Sequence, residues 1–222
     1  MLELLSELYV VGILGPDERP VGVGALVGPH EVLTCAHVVN AALGLDARAQ
    51  HQPDGAVLLD FPLVPNLSAA QHPTTYSARV TKWLPPPRDG AAGDDIAGLV
   101  LTRGPPPGAV PARMMVNPPS AGCAVRVFGY PATPRRPEGA WVPTTVQGRV
   151  GGGRLQLDSG PRAALRIQPG FSGSPVCDDG TGRVAGLLVS AAAGRAAERD
   201  SYAISADRLI LAWPELHTPP ST

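Results

Sequence analysis

The sequence predicts an all-β protein, a barrel or a sandwich, and two observations carry this prediction. Short apolar runs recur about every 8–12 residues, and almost no stretch has a long helical periodicity. Glycine and proline, 26 of each, stand mostly as single residues between these runs, where turns are needed. Many short strands joined by turns of this kind are typical of all-β folds.

The length and charge of the chain exclude some classes of function. The chain has 222 residues, of which 44% are hydrophobic, so it can bury a sizeable core as one unit or two halves. Eighteen Lys and Arg oppose 19 Asp and Glu and are scattered, so we expect no nucleic-acid partner. Glu3 and Glu7 interrupt any signal-peptide core, and no apolar run approaches the roughly 18 residues of a transmembrane helix. We therefore expect no membrane partner either.

The three cysteines, Cys35, Cys123 and Cys177, are odd in number and widely spaced. This pattern indicates reduced thiols in a cytoplasmic protein rather than a disulfide scaffold. The spacing of zinc ligands is absent, and we expect neither a metal nor an organic cofactor.

Residues 1–104 are predicted to form the N-terminal half. Strands at 8–14 and 21–27 make a hairpin around Gly15-Pro16-Asp17, and residues 36–43 have the pattern of one or two helical turns. The other predicted strands of this half are Glu31–Thr34, 56–61, Tyr76–Leu84 and Ile96–Leu101.

A proline-rich linker, residues 105–120, is predicted to separate the halves. The C-terminal half, residues 121–213, ends in a short helix at 207–213 capped by Ser205, and residues 214–222 form a tail or a linker. The predicted strands of this half are 124–130, 141–150, Arg154–Asp158, 163–167, 175–177, 184–190 and 201–204.

Three polar residues stand where an apolar pattern stops. His37 lies in LTCAHVV, Asp95 directly precedes the run Ile96–Leu101, and Ser172 lies in the tight turn PGFSGSP. A serine hydroxyl is a weak nucleophile until a neutral imidazole accepts its proton, and that imidazole needs a carboxylate on its other nitrogen. Histidine, aspartate and serine in this order therefore predict a catalytic triad.

The sequence alone leaves an alternative to each of these assignments. PGFSGSP could be an ordinary turn between two strands, and Ser174 stands beside Ser172. Asp94 competes with Asp95 for the imidazole, and His37 could be a buried core histidine. The other four histidines, in loops or tails, are His30, His51, His72 and His217.

The chain resembles the trypsin-like (chymotrypsin-fold) serine proteases, and among them the short, disulfide-free bacterial protease domain of the Deg/HtrA type. LTCAHVV matches the histidine motif of the family, DDIAGLVL its aspartate motif, PGFSGSPV its serine motif and SYAISAD a late strand. The resemblance covers residues 8–211. It implies two packed six-stranded antiparallel β-barrels with a short C-terminal helix, His37 and Asp95 in the first barrel and Ser172 in the second. It favours Asp95 over Asp94, and it implies an oxyanion hole made by the N–H groups of Gly170 and Ser172.

Two features bear on activation and specificity. Phe171 stands where the secreted family members carry an acidic residue that pairs with a new amino terminus, so activation by that salt bridge is excluded. By resemblance, Ser190, Ala191 and Ala192 wall the primary pocket, with Arg166 at its floor and Asp200 lining it. These two charges could pair with each other or both be solvated on loops. A free Asp200 would select Arg or Lys before the cleaved bond and a free Arg166 acidic residues; we favour basic substrates.

These patterns predict a bacterial, cytoplasmic serine endopeptidase that acts on a protein or peptide through an acyl-enzyme. By family analogy we expect the protease module of a signalling or defence system, switched on by a partner or a fused effector domain. The alternative is a catalytically idle protease fold that serves as a peptide-binding or adaptor module. A lipase or esterase is a weaker option, because its triad would end in histidine and its serine would lie between a strand and a helix.

Overall fold

A computed structural model describes residues 7–65, 74–88, 94–132, 135–160, 163–191 and 200–217. These residues form two closed barrels of six antiparallel strands each, which confirms the predicted fold class.

The first barrel comprises the strands that precede residue 102. Its bounds are β1 Val10–Leu14, β2 Pro20–Leu26, β3 Glu31–Thr34, β4 Val57–Asp60, β5 Tyr76–Leu84 and β6 Ile96–Leu101, with helix α1 at Ala36–Ala42. The barrel closes in the order β1-β2-β3-β6-β5-β4. In this order β3 pairs with β6, which are distant in sequence.

The second barrel follows the same plan. Its bounds are β7 Ala124–Gly129, β8 Ala140–Val150, β9 Arg154–Asp158, β10 Pro175–Asp178, β11 Val184–Ala191 and β12 Asp200–Ser205, with helix α2 at Ala206–Ala212. This barrel closes in the order β10-β11-β12-β9-β8-β7. Short 3₁₀ turns at Gly151–Gly153 and Pro214–His217 complete the regular structure of the described residues.

Two local predictions are wrong. Residues 163–167 do not form a strand, because β9, the preceding strand, is already paired on one side with β8 and on the other with β12. Ser205 occupies the N-cap position of α2 but makes no side-chain cap. Its hydroxyl donates instead to the Gly153 carbonyl at 2.8 Å, so it fastens the helix start to the second barrel.

Burial along the strands reflects where the barrels meet. On β5 the side chains alternate between buried and more exposed positions over residues 76–81, as expected for a strand with one face in a core. On β2 every residue from 22 to 26 is buried, because this strand also contacts β7 and β10 of the second barrel. Strand β2 is therefore part of the seam between the barrels.

The connection between the barrels is hydrogen-bonded to both of them. The Ala112 N–H donates to the Leu26 carbonyl at 2.8 Å, and the Met115 N–H donates to the Val184 carbonyl at 2.9 Å. The proline-rich segment is thus fastened to both barrels near its middle.

All three cysteines are free thiols; Cys35 and Cys177 are buried and Cys123 is half-buried. Tyr9, which precedes β1, donates its hydroxyl to the Cys177 Sγ at 3.1 Å. Burial raises the pKa of Cys177 to about 12. No helix in the described part of the chain combines the length and the hydropathy needed to cross a membrane.

A half-buried acidic side chain lies close to a tyrosine of the second barrel. Asp60 ends β4, and its Oδ1 is buried without a hydrogen-bond partner, as is the hydroxyl of Tyr130, which follows β7. A Cβ on Gly12 would lie 2.2 Å from the Asp60 Oδ1 and 2.8 Å from the Tyr130 hydroxyl, so both atoms lie close to the Gly12 backbone. Burial raises the pKa of Asp60 from 3.8 to about 6, against the opposing effect of the hydrogen bond from the Gly12 N–H.

We predict that Asp60 makes the protein less stable as the pH rises. Because its pKa is higher in the folded state, the stabilisation is fully present below pH 3.8 and is lost as the pH rises through about 6. Between pH 4.5 and 7.5 the free energy of unfolding should fall by about 2 kcal/mol more in the wild type than in Asp60→Asn. Denaturant titrations at both pH values measure this difference. The control is Asp54→Asn, which alters an exposed carboxyl and should keep the wild-type pH dependence; the same dependence in Asp60→Asn would contradict the prediction.

Candidate active site

His37 is presented by the short helix α1. The helix follows β3 directly, and its residues Val38, Val39 and Ala42 are buried, which turns the His37 side chain toward the surface. That side chain is 26% exposed. The helix thus anchors an imidazole that solvent and substrate can reach.

Asp95 meets His37 because β3 and β6 are antiparallel neighbours. Thr34 at the end of β3 pairs with Ala97 at the start of β6, so the residue before β6 lies beside the helix after β3. The Asp95 Oδ2 lies 2.6 Å from the His37 Nδ1, and the His37 N–H donates to Oδ1 at 2.9 Å. Both carboxylate oxygens hold the histidine, and the shorter distance lies just below the roughly 2.7–2.9 Å usual for charge-assisted N–H···O bonds.

Asp94 makes a different contact. Its Oδ1 accepts hydrogen bonds from the Arg208 Nε at 3.1 Å and from the Arg208 Nη2 at 2.8 Å. Of the two neighbouring aspartates, Asp95 is therefore the one whose carboxylate contacts the imidazole.

Ser172 lies in a turn in which some backbone N–H groups donate hydrogen bonds and others do not. The Phe171 N–H donates to the Gln168 carbonyl at 3.2 Å, and the Gly173 N–H donates to the Leu188 carbonyl at 2.7 Å. Within the described part of the chain, the N–H groups of Gly170 and Ser172 donate no hydrogen bond. These two amides are therefore free to bind a developing oxyanion.

Two positions of this turn require glycine. Gly170 has φ +101°, and a Cβ there would lie 2.2 Å from the Tyr130 carbonyl oxygen. Gly173 has φ +80°, and a Cβ there would lie 2.0 Å from the Val23 carbonyl oxygen. Backbone from both barrels thus approaches the turn too closely for any side chain.

The seam brings the turn next to α1. The Val23 N–H of β2 donates to the Ser172 carbonyl at 2.9 Å. A Cβ on Gly22 would lie 2.6 Å from the Val38 Cγ1 and 3.0 Å from that same carbonyl oxygen. The half-buried Ser172 makes no side-chain hydrogen bond to His37 among the described residues. Such bonds are often long before substrate binds.

The model of the trypsin-like peptidase domain family matches residues 22–187. The chain belongs to the trypsin-like peptidase family. It is thus a hydrolase, a serine endopeptidase. No curated protein matches the chain significantly.

Solved structures with the same fold include three proteases of low sequence identity. Mouse neuropsin has a TM-score of 0.68 and 16% identity, with 95% of this chain and 94% of that chain covered. The active form of the Rv3671c protease of M. tuberculosis has a TM-score of 0.62 and 21% identity, with coverage of 98% and 85%. The serine endoprotease of Yersinia pestis has a TM-score of 0.65 and 16% identity, with coverage of 96% and 64%. At these identities the likeness shows the fold.

Ser174 is fully buried in this peptidase. Its Oγ accepts a hydrogen bond from the Phe128 N–H at 3.1 Å and donates to the Pro175 carbonyl at 3.3 Å. Ser174 therefore ties the turn to β7 and is not accessible to a substrate.

Phe171 anchors the turn by burial. Its side chain is fully buried in the core of the second barrel, together with residues such as Val127, Val176 and Leu188. A Cβ on Gly129 would lie 2.3 Å from its Cδ1, so the ring presses on the backbone of β7. The sequence shows that the acidic residue is missing here, but the replacement for it becomes visible only in the packing.

The structure describes only some of the residues that the resemblance places around the primary pocket. Arg166 is half-buried and has an interaction partner. The backbone of Ser190 and Ala191 in β11 pairs with Tyr202 and Ser201 of β12, and Asp200 pairs with Asp158. The side chains of Ser190, Ala191 and Asp200, and the whole of Ala192, lie outside the described residues.

Cys35 places a thiol beside His37 and Asp95, with potential ligand atoms of the three residues within 4.8 Å of one another. The thiol donates to the Leu188 carbonyl at 3.3 Å, and burial raises its pKa well above its usual range. A metal needs the thiolate, and the His37 Nδ1 already pairs with Asp95. The arrangement is therefore poorly suited to a metal.

We predict that Phe171 matters for catalysis as well as for stability. Phe171→Leu should cost roughly 1–3 kcal/mol and should also lower kcat, because a looser anchor lets the Gly170 and Ser172 amides move. Phe61→Leu, which alters a buried phenylalanine of the first barrel away from the turn, should cost similar stability and leave kcat unchanged. Denaturant unfolding and peptide hydrolysis measure the two quantities. Equal kcat values for the two variants would show that Phe171 only fills space.

Proposed function

We propose that this peptidase cleaves peptide bonds with a His37, Asp95 and Ser172 triad through an acyl-enzyme. The observation that carries the proposal is the double contact between Asp95 and His37, at 2.6 and 2.9 Å. A buried carboxylate in that position fixes the imidazole tautomer and stabilises the imidazolium that forms during the reaction.

In the first half of the reaction the Ser172 Oγ attacks the carbonyl carbon of the scissile bond, and its proton passes to the His37 Nε2. The carbonyl oxygen becomes negative and accepts hydrogen bonds from the N–H groups of Gly170 and Ser172. The C–N bond then breaks, and His37 gives its proton to the leaving amine. This leaves an ester between Ser172 and the acyl half of the substrate.

In the second half a water molecule attacks that ester while His37 accepts its proton. The C–O bond to Ser172 breaks and the proton returns to the Ser172 Oγ. The residues of this chain supply every group that these steps need.

We predict that Ser172→Ala abolishes labelling by a fluorophosphonate probe and lowers peptide hydrolysis on the order of 10⁶-fold. Ser174→Ala is the control, because it removes another hydroxyl of the same turn; it should still be labelled, more slowly than the wild type, since it loosens the turn without removing the nucleophile. Gel fluorescence and peptide mapping identify the labelled residue. A folded wild type that no probe labels would favour the peptide-binding or adaptor module.

We propose Arg or Lys before the scissile bond as the preferred substrate residue. By the family resemblance, Asp200 lines the primary pocket, where its carboxylate would meet a basic substrate side chain. A carboxylate that lines a pocket selects a basic group by pairing with it.

The proposed preference predicts that Asp200→Ala loses discrimination between basic and neutral residues before the cleaved bond, by about tenfold or more in kcat/KM. A peptide library cleaved by wild type and variant measures this ratio. An unchanged preference would contradict the assignment of Asp200.

We further propose that the chain is a cytoplasmic bacterial protein, the protease module of a signalling or defence system, and that an activating partner acts at a step other than formation of the serine turn. Support comes from the three free cysteines, which suit a reducing compartment, and from the composition, rich in glycine, alanine, proline and arginine. Fractionation of cells that carry the native protein tests the compartment, and recovery outside the cytoplasm would refute it.

A further inference from the structure

The backbone of Asp95 adopts an unusual conformation. Its φ is +52°, and the other non-glycine residue with a positive φ in the described chain is Glu18. This left-handed region costs free energy in any residue with a side chain, although aspartate tolerates it better than most. Something around Asp95 must therefore hold it there.

The main-chain hydrogen bonds of Asp95 are long. Its N–H donates to the Pro85 carbonyl at 3.3 Å, and its carbonyl accepts from the Ala36 N–H at 3.4 Å. Both distances lie beyond the usual range for N–H···O bonds. The main chain alone is thus a weak restraint on the residue that holds His37.

The neighbouring residue is held more firmly, from the other barrel. Arg208 on α2 donates from both Nε and Nη2 to the Asp94 Oδ1, at 3.1 and 2.8 Å. The planar guanidinium loses little freedom when it makes two such bonds. One side of its stem packs against the backbone of Gly153, where an added Cβ would lie 3.0 Å from the Arg208 Cδ.

Helix α2 is itself anchored on the first barrel at its far end. Trp213, which follows the helix, is 8% exposed. A Cβ on Gly98 of β6 would lie 2.4 Å from its Cζ3. Arg208 and Trp213 therefore hold β6 at two points, directly before and just after the residue that contacts His37.

We propose that Arg208 is a positioning residue for catalysis. Through Asp94 it keeps Asp95 in the left-handed conformation in which both carboxylate oxygens reach His37. This inference rests on the proposed triad. It also makes α2 of the second barrel part of the machinery that orients the histidine of the first.

The test compares Arg208→Met with Arg149→Met. Arg149 pairs with Asp207 of the same helix at 3.0 Å, and both ion pairs are similarly exposed. Arg208→Met should lower kcat about tenfold, because small displacements of a catalytic group are costly, while KM stays within about twofold. Arg208→Lys, which retains the charge, should recover part of the loss, and Arg149→Met should keep the wild-type kcat.

A double-mutant cycle and a proton NMR spectrum complete the test. Asp94→Asn should lower kcat as Arg208→Met does, and the double variant should lose no more than either single variant. The downfield resonance of the proton between the His37 Nδ1 and Asp95 should shift or broaden in Arg208→Met and Asp94→Asn but not in Arg149→Met.

The outcomes separate this inference from the proposed function. A wild type without peptidase activity would refute the triad mechanism, yet a displaced His37 resonance in Arg208→Met would still support the positioning role. An unchanged kcat and an unchanged resonance in folded Arg208→Met or Asp94→Asn would overturn that role. Equal losses in Arg208→Met and Arg149→Met would overturn it too, because they would reflect helix stability alone.

Discussion

The active site depends on how closely two main chains approach each other at the seam between the barrels. The Val23 N–H of the first barrel donates to the Ser172 carbonyl of the second at 2.9 Å, and the Val23 carbonyl oxygen fills the place of any side chain on residue 173. The Thr34 hydroxyl also donates a hydrogen bond to the Val23 carbonyl at 2.7 Å. Because backbone is far less adaptable than side chains, the position of the serine turn is set by the docking of the barrels.

The turn is also held from within its own barrel, by apolar packing. Phe171, which stands between Gly170 and Ser172 in the sequence, is buried, and Ser174 is bonded to β7. Packing of this kind forms when the barrel folds and needs no cleaved amino terminus. It explains how Gly170 and Ser172 keep their geometry without the acidic residue of the secreted proteases.

Most strands could be predicted from the sequence, because each is marked by a local pattern of apolar and turn residues. Strands such as Glu31–Thr34 and Ile96–Leu101 are apolar runs between turn residues, and their ends agree with the structure. The strand predicted at residues 163–167 is absent, because an apolar run does not reveal whether a neighbouring strand still has a free edge. The contacts of Ser205 and Arg208 could not be predicted either, since their partners Gly153 and Asp94 are distant in sequence and are brought near by the barrel closure and the helix.

We propose that the chain by itself forms a serine turn ready to bind an oxyanion. A crystal structure of the purified chain with a peptide boronic acid tests this most directly. We predict a covalent bond from boron to the Ser172 Oγ and a boronate oxygen within about 3.1 Å of the N–H groups of Gly170 and Ser172. A boronate bound elsewhere, or one whose oxygens leave both amides unpaired, would contradict it.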